Sequence, residues 1–121
     1  MEVRVVNIED KFRHIAALHQ YKAVAKMNDI LFKLVRMDRE FIWHSHEETD
    51  EVFMVFGGKL IIELRDSVLE LGPGDMVSIP KGVEHKPRSI GECRILLIEP
   101  AATVNTGSAG GSLTDDVVEW I

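Results

Sequence analysis

His44-Ser45-His46-Glu47-Glu48-Thr49-Asp50-Glu51-Val52-Phe53-Met54-Val55-Phe56-Gly57-Gly58 is the stretch that decides the fold. Side chains on a strand alternate faces, so His44 and His46, two apart, point the same way on extended backbone. A helix would set them about 200° apart. Val52 to Phe56 is wholly apolar, as in a strand covered on both faces. A third imidazole, His85, ends the segment Gly74-Asp75-Met76-Val77-Ser78-Ile79-Pro80-Lys81-Gly82-Val83-Glu84-His85. The glycines and proline of that segment read as turn, short strand, turn. His44, His46, Glu51 and His85 supply three imidazoles and one carboxylate, the donor types that hold a borderline divalent transition metal ion.

Outward from this centre the chain reads as short strands separated by glycine, proline and Asx turns. Strands are expected over residues 2–8, Tyr21–Met27, Ile30–Met37, Glu40–His46 (continuous with the one before it), Val52–Phe56, Lys59–Arg65, Val68–Leu71, Met76–Ile79 and Arg94–Ile98. Gly57-Gly58, Asp66-Ser67 and Gly72-Pro73-Gly74-Asp75 are the expected turns. Asn7 or Asp10 caps a short helix reaching His19, because Phe12, Ile15, Ala16 and His19 share one helical side. Such a run of short strands points to an all-β sandwich or barrel. Residues 103–112, rich in Gly, Ser and Ala, read as a flexible linker, and 113–121, with Trp120, as an apolar C-terminal segment that docks as a short helix or strand.

Two motif fragments carry a family resemblance. His44-x-His46-x4-Glu51-x6-Gly58 resembles the first motif of the cupin superfamily, and Gly74-x5-Pro80-x-Gly82-x2-His85 resembles the second. Fifteen residues, Lys59 to Pro73, separate them, similar to the compact microbial cupins. The chain departs from the pattern at Asp38, where a glycine is expected, and at Ser89, where an asparagine is expected. The resemblance implies a cupin double-stranded β-helix, a jelly-roll barrel, here with a short N-terminal helix. It implies a single domain over 1–121, with a barrel core at about 30–100 and an N-terminal extension at 1–29. It does not choose a reaction, because many chemistries share one barrel.

Composition bounds the partners. Fourteen Lys+Arg against twenty Asp+Glu give a net charge of -6, which argues against nucleic acid and anionic membrane surfaces. No apolar run is long enough to span a membrane, and Met1 to Lys11 lacks the apolar core of a signal peptide. The single Cys93 cannot form an internal disulfide and reads as a buried small hydrophobe in a reducing, cytoplasmic setting. His14 and His19 read as solvated helix residues, and Glu47, Glu48 and Asp50 as a solvated acidic rim. Lys81, Lys86 and Arg88 are the cations available to a phosphate, but a solvated role suits their placement better.

Alternation also predicts a small-molecule pocket lined by Ile42, Phe53, Val55 and Met76. It leaves Phe41, Trp43, Val52, Met54 and Phe56 as an apolar outer set, which a second subunit would cover in a homodimer, or else residues 2–8 and 113–121 of the same chain. Three imidazoles and one carboxylate leave open positions on one bound Mn, Fe, Co, Ni or Zn ion per chain. The expected function is a metal-dependent enzyme acting on a small organic molecule, of oxygenase, isomerase or lyase type. The alternative is a non-catalytic metal-dependent binding or sensing protein. No catalytic residue is assigned at this level.

Overall fold

Asn7 starts the first element of this computed structural model, which describes residues 2–107, 109–113 and 118–121. The Asn7 side chain accepts from the Asp10 amide at 2.9 Å and caps α1, Ile8–Arg13. The helix is shorter than expected. His14 already closes it, and His19 sits at φ 66° with Nε2 accepting from the Asp38 amide at 3.0 Å. His19 is therefore a half-buried loop residue rather than a solvated helical one. Residues 2–7 form no strand.

The strands are β1 (Lys22–Met27), β2 (Ile30–Met37), β3 (Glu51–Leu64), β4 (Val68–Leu71), β5 (Met76–Ile79), β6 (His85–Pro100) and β7 (Glu119–Trp120). They form one sheet in the order β4-β3-β6-β2-β1-β7, with β5 paired to β3. All pairings are antiparallel except β1 with β7. The long strands β3 and β6 pair from Val52↔Ile98 to Leu64↔His85 and wrap the sheet into the barrel expected from the sequence. The all-β reading with one short helix is what the chain adopts.

Two sequence expectations fail for a shared physical reason. Gly57-Gly58 does not end a strand. The ladder slips register there and continues, so β3 bends through a bulge instead of turning back. Gly58 has φ 77°, and a Cβ at this position would lie 2.2 Å from the Glu92 carbonyl oxygen, so only glycine fits. Residues 40–46 are extended but unladdered. Only isolated bridges, Glu40↔Arg88 and His44↔His85, tie them to β6. A glycine pair marks a bulge as readily as a turn, and alternation alone does not supply a pairing partner.

The core has two layers. Inside the barrel Val35, Met37, Phe53, Val55, Leu60, Ile62, Ile95 and Leu97 pack together with Cys93, which is free and buried. Outside, Phe12 and Ile15 lie over Val24, Leu34 and Leu96, with Met54, Phe56 and Ile98 packed against them. The Phe12 and Phe56 rings are 6.0 Å apart. Met54 and Phe56 of the outer apolar set are thus covered in cis. Phe41 is not part of it, being buried on the inner side, and Trp43 lies under the Arg65 guanidinium at 3.8 Å.

Candidate metal centre

The centre is assembled at one end of the barrel, where β3 begins and β6 begins. Glu51 is the first residue of β3 and His85 the first of β6. His44 is locked beside His85 by a reciprocal pair of backbone hydrogen bonds, His44 N–H to His85 O at 3.0 Å and His85 N–H to His44 O at 2.9 Å. His46 follows two residues later, and its carbonyl accepts from the Gly82 amide at 2.9 Å. All four side chains are buried, and one donor atom from each lies within 4.8 Å of the others. Ligands at about 2.0–2.2 Å from one ion stand at most about 4.4 Å apart, so a few tenths of an ångström close the cluster on an ion.

The hydrogen bonds prepare these rings for a cation. His44 Nδ1 donates to Ile42 O and His85 Nδ1 to Val83 O, each at 2.9 Å. A carbonyl only accepts, so in the neutral rings each Nε2 carries the lone pair. His85 Nε2 then faces Glu51 Oε1 at 3.1 Å, and His46 Nε2 faces Glu51 Oε2 at 3.3 Å. His46 Nε2 is buried and makes no hydrogen bond despite that proximity. Converging lone pairs around a carboxylate repel one another, and a cation among them removes the repulsion. Burial, then the neighbouring His85, pulls the His44 pKa down to about 4, so this ring is neutral and ready to ligate at neutral pH.

A second polar group adjoins the first and was not read from the sequence. Lys33 Nζ lies 3.1 Å from Glu99 Oε1, and both side chains are buried. Burial, then its hydrogen bond to Glu51 and that residue's charge, holds Glu99 well above the usual carboxylate range. Burial opposes ionisation of Glu51 too, but its contacts with Glu99 and then with the His46 and His85 rings outweigh it and hold Glu51 below the usual range. Glu99 Oε2 is buried and makes no hydrogen bond. Tyr21, hydrogen-bonded to Asn105, has its pKa raised by burial and then by the charge of Glu51, so it stays a neutral hydroxyl.

A narrow cavity runs inward from His44 and Glu51. It encloses about 360 Å³ of empty space including its mouth, of which only about 20 Å³ admits the centre of a water-sized sphere. Its walls are mostly apolar, with Val35, Met37, Phe41, Phe53 and Leu97 among them, and Tyr21, Glu99 and Asn105 provide the remaining polar groups. Of the residues expected to line a pocket, Phe53 is there. Val55 is buried in the barrel core off the cavity wall, Ile42 is half-buried elsewhere, and Met76 is 66% exposed on β5, where Val77 takes the inward position instead.

The tail is the other correction. Residues 103–107 are packed rather than loose: Thr106 is fully buried, Asn105 lines the cavity, and Thr103 O lies 3.5 Å from Lys33 Nζ. The acidic rim stays exposed, with Glu47 accepting from Ser45 Oγ at 2.6 Å and Asp50 from the Lys81 amide at 2.9 Å. Lys86 pairs with Glu40 and Glu63, and neither it nor Lys81 nor Arg88 reaches the cavity wall.

Fold and site together define a small β-barrel protein with a buried His-His-Glu-His cluster. Residues 33–99 match the cupin domain family (Cupin_2), and the chain belongs to it. It is 49% identical to a cupin-2 domain containing protein from Shewanella frigidimarina NCIMB 400, whose crystal structure superimposes with a TM-score of 0.77 over 79% of this chain and 94% of that one. The structure of protein NMB1881 from Neisseria meningitidis is similar at 26% identity and a TM-score of 0.73, over 80% of this chain and 99% of that one. The uncharacterized protein YdbB of Bacillus subtilis (strain 168) is 35% identical over 72 residues, 59% of this chain and 64% of that protein.

Proposed function

We propose that the chain holds one divalent transition metal ion through His44, His46, Glu51 and His85, and uses an open coordination position to act on a small organic molecule in the adjoining cavity. The observation that carries this reading is the buried, hydrogen-bond-oriented set of donor atoms within 4.8 Å, with His46 Nε2 left unsatisfied. The donor set suits Mn, Fe, Co, Ni or Zn alike. When bound, such an ion would supply Lewis acidity toward a carbonyl or enolate, the chemistry of an isomerase or lyase, and iron would in addition supply the dioxygen chemistry of an oxygenase.

The chain's own groups do the rest. His44 and His85 keep their Nδ1 protons on backbone carbonyls and turn Nε2 inward. The apolar walls exclude water and strengthen every polar contact inside. Tyr21 offers a neutral hydroxyl, and Glu99, whose pKa burial raises, adjoins Glu51. The competing reading is a non-catalytic metal-dependent binding protein. It draws on the same site and asks only that the ligand be held, with no group acting as acid or base. Turnover on a panel of small carbonyl and enolisable compounds separates the two.

No helix among the described residues is long and apolar enough to cross a membrane. A cytoplasmic setting fits the lone buried thiol of Cys93, whose pKa burial raises to about 11. The N-terminal segment covers Met54 and Phe56 within one chain, which supports self-coverage of that part of the outer face over a subunit contact there. Elemental analysis tests the central claim. Wild-type protein offered Mn, Fe, Co, Ni and Zn should retain about one ion per chain, and His44→Ala or His85→Ala should abolish retention while the barrel stays folded. A wild type that stays empty with all five metals sinks the reading.

A further inference from the structure

The cavity beside the centre is small for the molecule proposed to enter it. The room it gives a water-sized sphere, about 20 Å³, is that of about one water. A larger guest needs a wall that moves. Most walls are fixed. Val35, Phe53 and Leu97 stand in paired strands. Phe41 and His44 are tied to β6, Phe41 N–H to Pro87 O at 2.8 Å and His44 N–H to His85 O at 3.0 Å. Asn105 is the exception, because it reaches the cavity from the strap at 103–107, which belongs to no strand.

The strap is built to move as a unit. Three backbone hydrogen bonds close within 100–109: Thr103 N–H to Pro100 O and Gly107 N–H to Val104 O, each at 2.9 Å, and Ala109 N–H to Thr106 O at 3.1 Å. Lys33 Nζ meets Thr103 O only at 3.5 Å, beyond the usual hydrogen-bond range. Thr103 Oγ1 is buried with no partner, which disfavours the closed position. The Ala101 amide, bonded to Asp29 O at 2.8 Å, anchors one end, and Gly107 packs against Ser45 O at the other. Asn105 holds the strap shut, its side chain bonded to Tyr21 and donating to Leu113 O at 2.9 Å. Elsewhere Thr103, Val104 and Gly107 line an open groove with His46 and Glu47, with about 400 Å³ of room for water-sized spheres. One short segment thus borders both the narrow cavity at His44 and Glu51 and the open groove at His46.

We propose that residues 103–107 are a gate, hinged at its two ends, that swings into the groove to admit the organic ligand and then returns Asn105 to the cavity wall. This inference rests on the small-molecule reading above and deepens it. Opening breaks the Asn105 contacts and the long Lys33 contact, gives Thr103 Oγ1 to water, and leaves every ladder of the barrel intact. Such local opening needs far less free energy than unfolding the barrel. The ligand then meets the centre from the His46 side, and closure over it excludes water.

The test places a thiol in the cavity wall with Val35→Cys and times its reaction with methyl methanethiosulfonate, a small uncharged reagent, by mass spectrometry of the full chain. Leu97→Cys, on the same cavity, is a second reporter should the first fail to fold. Cys93, fully buried in the barrel core off the cavity wall, reports unfolding of the whole barrel. The cavity thiol should react at least about tenfold faster than Cys93. Adding Asn105→Ala should speed it about tenfold, the scale of one lost hydrogen bond, with Cys93 unmoved. Adding Thr103→Val, which removes the unpartnered hydroxyl without touching the cavity wall, should slow it severalfold. A cavity thiol no faster than Cys93, or a rate that neither strap variant changes, overturns the gate. The measurement needs no metal, so it stands apart from the reading beneath it. A metal-loaded protein that binds no small organic molecule defeats that reading, whereas strap-independent labelling defeats this inference alone.

Discussion

At the scale of single residues the site is governed by what burial does to charge. His44 sits between a carbonyl that fixes its Nδ1 proton and His85, which disfavours a second positive charge. Its pKa falls to about 4, against an unperturbed value near 6.5. Between those values the unfolded chain binds a proton at this residue and the folded chain does not. Protonation therefore favours unfolding, and the contribution of His44 to stability is fully present above about pH 6.5 and is lost as pH falls toward 4. At about 1.36 kcal/mol per unit the loss approaches ~3 kcal/mol. Urea unfolding of the metal-free protein at a series of pH values should show this slope, and His44→Asn should flatten it by one proton. A wild-type stability that does not change over this range would mean that His44 is charged in the fold. The histidines themselves were legible in the sequence because alternation and residue type both pointed at them. Lys33 and Glu99 were legible only in principle. Each is a charge at an inward position of an apolar strand, between Leu31 and Val35 in β2 and after Leu97 in β6. That signal becomes decisive only once the pairing of β2 with β6 brings the two charges together.

At the scale of elements, the strands with turns at both ends were read correctly to the residue: β4 and β5 have the expected limits. Failures came where the backbone pairs over a long distance. β3 passes through Gly57-Gly58, and β6 extends to sixteen residues because its partner strands set its length, which local propensity does not report. The strap at 103–107 failed differently. Its small polar residues read as loose, yet small residues are also what a close approach requires. Gly107 has φ 58°, and a Cβ there would lie 2.0 Å from the Ser45 carbonyl oxygen and 3.4 Å from His46 Nδ1. Gly107→Ala must therefore push the strap away from the His44-Ser45-His46 run. The expected result is a stability loss of ~1–3 kcal/mol from backbone strain together with weaker metal retention. Thermal unfolding and elemental analysis after dialysis against a chelator read the two effects. A variant that loses stability but holds metal as firmly as wild type would show that the strap supports the barrel without supporting the centre.

At the scale of the whole molecule, the question is how a barrel of this size covers its outer face. The sequence offered two answers for Met54 and Phe56, a second subunit or the chain's own ends, and alternation could not choose between them because both satisfy the same pattern. The fold places Phe12 and Ile15 of the N-terminal segment on that face, with Phe12 only 3% exposed and Val6, Ile8 and Ile121 packed at the margin. The cover is a short helix of six residues, too short to be stable alone, so its packing and its formation are one event. Phe12→Ala should then cost ~3 kcal/mol or more, the usual scale for emptying a buried aromatic site, and should uncover Met54 and Phe56 together. Chemical denaturation measures the first effect. Light scattering at tens of micromolar measures the second, since an apolar face released into water seeks another surface. The variant should self-associate more than the wild type, whose face is already closed. If instead the wild type is a dimer that Trp43→Glu dissociates, and Phe12→Ala leaves that dimer intact, then the subunit contact uses the Trp43 side of the barrel and α1 serves only its own chain.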